Sequence, residues 1–212
     1  VLKSITFNHQ NTSAIGMGTW HIGEGNHART ESEMAALKFG LDHGINVIDT
    51  AEMYGEGKSE TLIGNVIKDY SRSDFQLISK FYPFHATPKL IEQSLKASLK
   101  RLQTDYLDLY LLHWRGQTPL AETVEGLENM VQAGLIRNWG VSNFDIEDLK
   151  ELNALPNGKN CRINEDLYNI GSRGIEYSIL PWQKEHDMSF IAYSPFGSDG
   201  SEYLKIAPVI QE

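Results

Sequence analysis

Short apolar runs alternate along this chain with longer stretches whose apolar positions recur every three or four residues. The short runs are Asn46–Asp49, Phe75–Lys80, Leu107–His113, Ile136–Ser142, Cys161–Asn164 and Met188–Tyr193, and they predict strands. Between them lie stretches of helical period. Glu31–His43 carries Met34, Leu37 and Leu41, and Pro88–Leu102 carries Leu90, Ile91, Leu95 and Leu99; Leu120–Gln132 repeats the pattern. Thr87 before Pro88 suits an N-cap followed by proline at the first helical position, and Gly134 suits the far end of the third helix. Strands alternating with helices of this length indicate βαβ units and a parallel sheet. The opening differs: Leu2–Phe7 and Ser13–Met17, separated by His9, Gln10 and Asn11, predict a β-hairpin. No low-complexity segment or Gly/Ser linker interrupts residues 1–212, which are expected to form one domain.

Composition narrows the picture. Apolar residues make up 41% of the chain and charged residues 22%, which fits a globular protein rather than a disordered, collagenous or membrane chain. No apolar run approaches the roughly 18 residues that would span a bilayer. Val1–Gln10 lacks a signal-peptide pattern, and the single cysteine, Cys161, excludes an intramolecular disulfide, so a cytoplasmic setting is expected. A formal charge of −9 argues against nucleic-acid binding, which calls for a cationic surface.

Candidate chemistry lies at the strand ends. Asn46-Val47-Ile48 ends in Asp49, Gln76-Leu77-Ile78-Ser79 in Lys80, and Tyr110-Leu111-Leu112 in His113. Each has an ordinary explanation alone: a helix cap, a lysine stem lying on apolar surface, a half-buried histidine. Together, one βα unit apart and flanked by Tyr54, Tyr82 and Trp114, they place an acid, an amine and an imidazole side by side. The C-terminal mouth of a closed β/α barrel collects such groups, whereas an open sheet would centre on a switch point with a glycine-rich first turn. The set suits carbonyl reduction. Tyr54 donates a proton to the developing alkoxide, Lys80 favours ionisation of the tyrosine, Asp49 holds the lysine, and His113 orients the carbonyl.

The stretch Asn46-Val47-Ile48-Asp49-Thr50-Ala51-Glu52-Met53-Tyr54-Gly55 resembles the signature of the aldo-keto reductase family, in which this Asp and Tyr are catalytic. Leu77–Lys80 and Leu111–Trp114 resemble the next two catalytic segments, and the resemblance covers most of the chain in order. It implies a TIM-type (β/α)8 barrel plugged by the N-terminal hairpin, with NADPH as cofactor and NADH as the alternative. Gly18, Thr19 and Trp20 of the first strand, with Asp49, fall on the cofactor side. Trp139–Phe144 resembles the motif whose serine and asparagine, here Ser142 and Asn143, hold the nicotinamide carboxamide. Tyr193 matches the residue that stacks on the nicotinamide ring, and Ser194, Pro195, Phe196 and Gly197 match the loop along the pyrophosphate. Trp20, Tyr54, Tyr82, His113 and Trp114 would line the substrate pocket. Gly174–Trp182 resembles a bacterial branch that acts on small aldehydes and diketones.

Two departures stand out. The family's sixth-strand motif has glutamine after asparagine, whereas here Asn164 is followed by Glu165; Asn164 remains a lesser candidate for the cofactor. The resemblance supplies seven barrel strands and stops near residues 204–212, before the segment that grips the adenosine 2′-phosphate. The expectation is a C-terminally truncated barrel whose functional protein continues beyond Glu212, the alternative being an incomplete barrel patched by a partner.

Other signals are set aside. Gly55-Glu56-Gly57-Lys58-Ser59 lacks the first glycine of a P-loop, and the histidines show no metal-binding spacing. The expected protein is a monomeric enzyme that reduces small carbonyl compounds, with no nucleic-acid, membrane or metal partner. The rival is a noncatalytic, cofactor-binding or regulatory protein built on the same barrel.

Overall fold

The computed structural model describes residues 2–7 and 10–197. Strands β1 (Ser4–Phe7) and β2 (Gln10–Ser13) form an antiparallel hairpin in which Ser4 faces Ser13 and Phe7 faces Gln10. Seven parallel strands follow in one sheet, ordered as in the sequence. They are β3 (Met17–Gly18), β4 (Val47–Asp49), β5 (Gln76–Phe81), β6 (Leu107–Leu112), β7 (Ile136–Ser142), β8 (Ile163–Leu167) and β9 (Ser189–Tyr193). Helices α1 (His27–Asp42), α2 (Lys58–Ile67), α3 (Pro88–Leu102), α4 (Leu120–Gln132), α5 (Ile146–Ala154) and α6 (Ile179–Glu185) fill the crossovers. Neighbouring parallel strands linked one after another by helices are the architecture of the β/α barrel. Among the described residues no ladder joins β9 back to β3.

Alternation along each strand splits the apolar residues into two cores. Ile78, Leu109, Leu111 and Ile163 point inward and meet Phe7 of the hairpin, which closes the barrel floor. Leu77, Phe81, Tyr110, Leu112, Trp139 and Val141 point outward under the helices. All residues of β5 and β6 are therefore buried, and both strands lack a polar face. Asn46 seats the plug: its side-chain oxygen accepts from the Ser13 amide at 2.8 Å, and its own amide donates to Ser13 Oγ at 3.1 Å.

The expected bounds of α3, α4 and β7 coincide with those observed. The hairpin is corrected. Its second strand is Gln10–Ser13, and Met17 belongs instead to the barrel, paired with Ile48. Apolar alternation runs through both strands and hides the break at Gly16. Part of the expected turn, His9, lies outside the described residues, as do residues 204–212, where the resemblance stops. Helix α1 starts at His27 rather than Glu31, capped by Asn26, whose side chain accepts from the Arg29 amide. Thr87 occupies the N-cap position of α3 in extended conformation, without a capping side-chain bond.

Helix α2 approaches α3 closely at Gly64. A Cβ there would lie 2.4 Å from the carbonyl oxygen of Arg101, a backbone atom that cannot step aside. Beside it, the fully buried Glu60 accepts from Ser79 Oγ and from Arg101 Nε, both at 2.6 Å, tying α2 to β5 and α3. Gly64→Ala is expected to lower the denaturation midpoint by the equivalent of about 1–3 kcal/mol with the slope unchanged. An unaltered midpoint would contradict this close approach.

Candidate active site

The C-terminal ends of β4, β5 and β6 bring Asp49, Lys80 and His113 to one mouth. Lys80 is 1% exposed, and its ammonium donates to both Asp49 oxygens, at 2.5 and 2.7 Å, and to the Thr50 carbonyl at 3.1 Å. A buried charge without such partners would cost several kcal/mol. Tyr54 stands over this pair, with the ammonium 5.4 Å from its ring centroid and the His113 ring edge-on at 5.8 Å.

The backbone after Tyr54 is unusual. Gly55, Glu56 and Gly57 take φ values of 56°, 54° and 85°, three left-handed residues in succession. Glycine adopts this region freely, while Glu56 carries strain. The turn reverses the chain into α2, so Tyr54 leaves β4 and returns over the strand ends. The segment set aside as a false P-loop is thus what places the tyrosine. Three more strained residues lie at this end of the barrel, His21 after β3 (φ 67°), Asn143 after β7 (φ 58°) and Ser194 after β9 (φ 48°). Strained non-glycine backbone persists where the surroundings over-determine it, often at functional sites.

A polar chain joins the tops of four strands. Tyr193 donates its hydroxyl to Asn143 Oδ1 at 2.7 Å, while Asn143 Nδ2 donates to the His113 carbonyl at 3.1 Å and to Ser142 Oγ at 3.0 Å. Ser142 Oγ in turn donates to the Glu165 carbonyl at 2.8 Å. A cavity of about 660 Å³ opens beside this chain, bounded by Asp49, Tyr54, His113, Glu165, Tyr193 and Trp20 among others.

Burial controls the electrostatics. It pushes the Tyr54 phenol up to about 12; the Lys80 charge pulls the other way without prevailing, and Asp49 and Glu165 add to the rise. This reverses the direction expected from the lysine alone and leaves Tyr54 holding its proton. Burial also works against the Lys80 ammonium, but Asp49, Glu165 and Tyr54 together raise its pKa well above the ordinary lysine range. His113 is pushed down to about 3 by burial and by the Lys80 charge, so the imidazole is neutral. Its buried Nδ1 has no partner.

Most of the sequence-derived residues converge on the cavity: Gly18, Thr19, Trp20, Asp49, Tyr54, His113, Trp114, Ser142, Asn143, Tyr193, Ser194, Pro195 and Phe196 all line it. Lys80 lies beneath Asp49. Gly197 sits just past the wall in a turn in which its amide donates to the Ser194 carbonyl. Tyr82 and Asn164 do not line the cavity. Tyr82 stacks on Phe84 and meets Trp114 edge-on at 6.2 Å. Asn164 faces away from the barrel interior, where it donates to the Phe144 carbonyl at 3.1 Å and to Asp166 at 2.6 Å. Strand parity decides this: Ile163 and Glu165 share the inner face. Glu165, treated in the sequence only as a departure, is therefore a member of the site, and its register is fixed by pairing with Ser142 and Ile191.

The strand order and the charged mouth define a β/α-barrel protein with its polar site at the C-terminal rim. The chain belongs to the aldo/keto reductase family, whose model matches residues 14–204. It is 46% identical over 187 residues to the methylglyoxal reductase YeaE of Escherichia coli, an alignment covering 88% of this chain and 65% of that protein. It is 36% identical over 193 residues to the aldo-keto reductase YhdN of Bacillus subtilis, covering 85% and 57%. The crystal structure of an aldo/keto reductase from Klebsiella pneumoniae in complex with NADP and acetate superposes with a TM-score of 0.91 at 48% identity, covering 95% of this chain and 71% of that one. The chain thus spans less than two thirds of the length of either curated relative.

Two outcomes follow from the site's charges. Lys80→Met leaves the Asp49 carboxylate without its counter-charge and is expected to cost about 3–5 kcal/mol of stability at neutral pH, measurable by chemical denaturation; a loss below about 1 kcal/mol would rule out a tightly coupled pair. His113 is protonated more readily in the unfolded chain, near 6.5, than in the fold, near 3. Between these values the unfolded state binds more protons, so the stabilisation is complete above the first and lost as pH falls through the second. His113→Gln should therefore flatten the acid limb of stability against pH, and an unchanged limb would place this titration elsewhere.

Proposed function

We propose that this chain is the catalytic part of a nicotinamide-dependent reductase of aldehydes or ketones, with Tyr54 as the proton donor. The observation that carries the reading is a protonated phenol held over a buried Lys80–Asp49 pair at the wall of a cavity. YeaE is described as a methylglyoxal reductase and the Klebsiella protein was crystallised with NADP, which supports a small carbonyl substrate and NADPH as cofactor, NADH being the alternative.

The residues present fit the ring-and-amide end of such a cofactor. Tyr193 offers an aromatic face on the wall, and Asn143 and Ser142 supply polar groups beside it. Among the described residues no lysine or arginine lines the cavity, so these residues supply no cationic partner there for the phosphate end.

A bound reduced nicotinamide supplies a hydride to the carbonyl carbon. The chain's own groups handle the oxygen. Neutral His113 donates a hydrogen bond that holds the carbonyl, and Tyr54 gives its phenolic proton to the alkoxide as negative charge develops. The Lys80 ammonium then stabilises the phenolate left behind, while Asp49 keeps the ammonium charged and in place. Trp20 and Trp114 form apolar wall that suits many small carbonyls.

NADPH oxidation with methylglyoxal tests the reading. Tyr54→Phe is expected to lower kcat/KM by about a hundredfold to ten-thousandfold while cofactor binding changes only a few-fold. Undiminished turnover in Tyr54→Phe would remove Tyr54 as the donor.

A further inference from the structure

Glu165 is a buried titratable group that the proposed mechanism does not use. Its side chain is 3% exposed and lies in the cavity wall, with one oxygen 3.5 Å from Lys80 Nζ and the other without a partner. The groups facing it are Asp49 from β4, Tyr54 from the following turn, Lys80 from β5 and Tyr193 from β9; Asp166 is its sequence neighbour on the opposite face of β8, and His113 shares the mouth. Only one of these is a cation. Lys80 has already committed two short bonds to Asp49 and one to the Thr50 carbonyl, so a second carboxylate would be buried without a counter-charge. A carboxyl so placed keeps its proton. Burial and the Asp49 charge raise it towards neutral pH against the pull of Lys80, in agreement with this charge count.

The two redox forms of a nicotinamide differ by one positive charge on the ring. A neutral Glu165 leaves the Asp49–Lys80–Glu165 trio uncharged, which suits the neutral reduced ring. The oxidised ring brings the missing cation. We propose, on the reading of the cavity as a nicotinamide site, that Glu165 holds a proton in the free chain and releases it to solvent when the oxidised cofactor binds, so that this chain couples proton release to the redox form it holds. The step is a plain acid dissociation: the carboxyl O–H breaks, the proton passes to buffer, and no electrons move. Glutamine, which the resemblance places at this position, has no proton to release.

Binding of NADP+ and of NADPH is followed by quenching of tryptophan fluorescence, Trp20 and Trp114 being in the cavity wall. Proton release is measured by calorimetry in two buffers of different ionisation enthalpy, on wild type and on Glu165→Gln. Titration of the adenosine 2′-phosphate is common to both redox forms and cancels between them. In the wild type NADP+ is expected to release up to about one proton more than NADPH, and its affinity should rise up to about tenfold per pH unit through the titration range. Glu165→Gln should show no difference between the two forms. The wild-type comparison stands even if the variant fails to fold. Equal proton release for the two forms in wild type, or an undiminished difference in Glu165→Gln, overturns the proposal while leaving the cavity a cofactor site. No binding of either form to wild type overturns both.

Discussion

The bond between Lys80 and Asp49 is the constraint on which the mouth of this barrel depends. An ammonium 1% exposed at the end of a fully buried strand can remain charged only beside a fixed carboxylate, and Asp49 meets it with both oxygens. Burial sets the direction of the neighbouring protonation states, and that pair tunes each of them. Its positive end helps keep His113 neutral and moderates the rise of the Tyr54 pKa, and it leaves too little positive charge over for Glu165. Removing the pair would change three titrations at once, which is why the site behaves as a unit rather than as residues that happen to be close.

The backbone holds that unit in place. The left-handed run Gly55-Glu56-Gly57 swings Tyr54 back over the strand ends, and Ser59 Oγ at the start of α2 bonds Thr19 Oγ1 at 2.9 Å and Thr50 Oγ1 at 3.1 Å, fixing the turn to the tops of β3 and β4. On the other side the chain from Tyr193 through Asn143 and Ser142 ties the upper parts of four strands together with side-chain bonds. Ring and amide groups around the cavity are therefore positioned by strands, while strain is confined to single residues at their ends.

Much of this was legible in the chain, and the reasons for the gaps are physical. Helices α3 and α4 carry an apolar stripe along their whole length, so period alone locates both ends. Helix α1 opens on His27, Ala28, Arg29 and Thr30, a first turn with almost no apolar residue, and only the cap at Asn26 marks it. Helix α2 has a clear stripe in Leu62, Ile63, Val66 and Ile67, but it is short and opens directly on the glycine-rich turn, which obscures its start. Strand β8 was expected to end at Asn164, because Glu165 and Asp166 contradict an apolar pattern; the ladder continues to Leu167. Asp49, Lys80 and His113 were visible because each ends an apolar run. Glu165 was hidden because it lies inside a strand between Asn164 and Asp166, where no apolar run marks the strand, and recognising it as a wall residue required the pairing with Ser142.

The alternation that places Asp49, Lys80, His113 and Glu165 on the inner face also sets how the chain tolerates change. A substitution in β5 or β8 alters one contact, whereas an inserted or deleted residue exchanges the faces from that point onward. In β8 a one-residue slip would turn Asn164 or Asp166 into the cavity and bury Glu165 against the helices; in β5 it would direct Ser79 inward in place of Lys80. The barrel strands are therefore closed to length variation although their individual side chains can drift. Variation in length is left to the segments between the strands, and a family built this way would diversify there while its rim stays in phase.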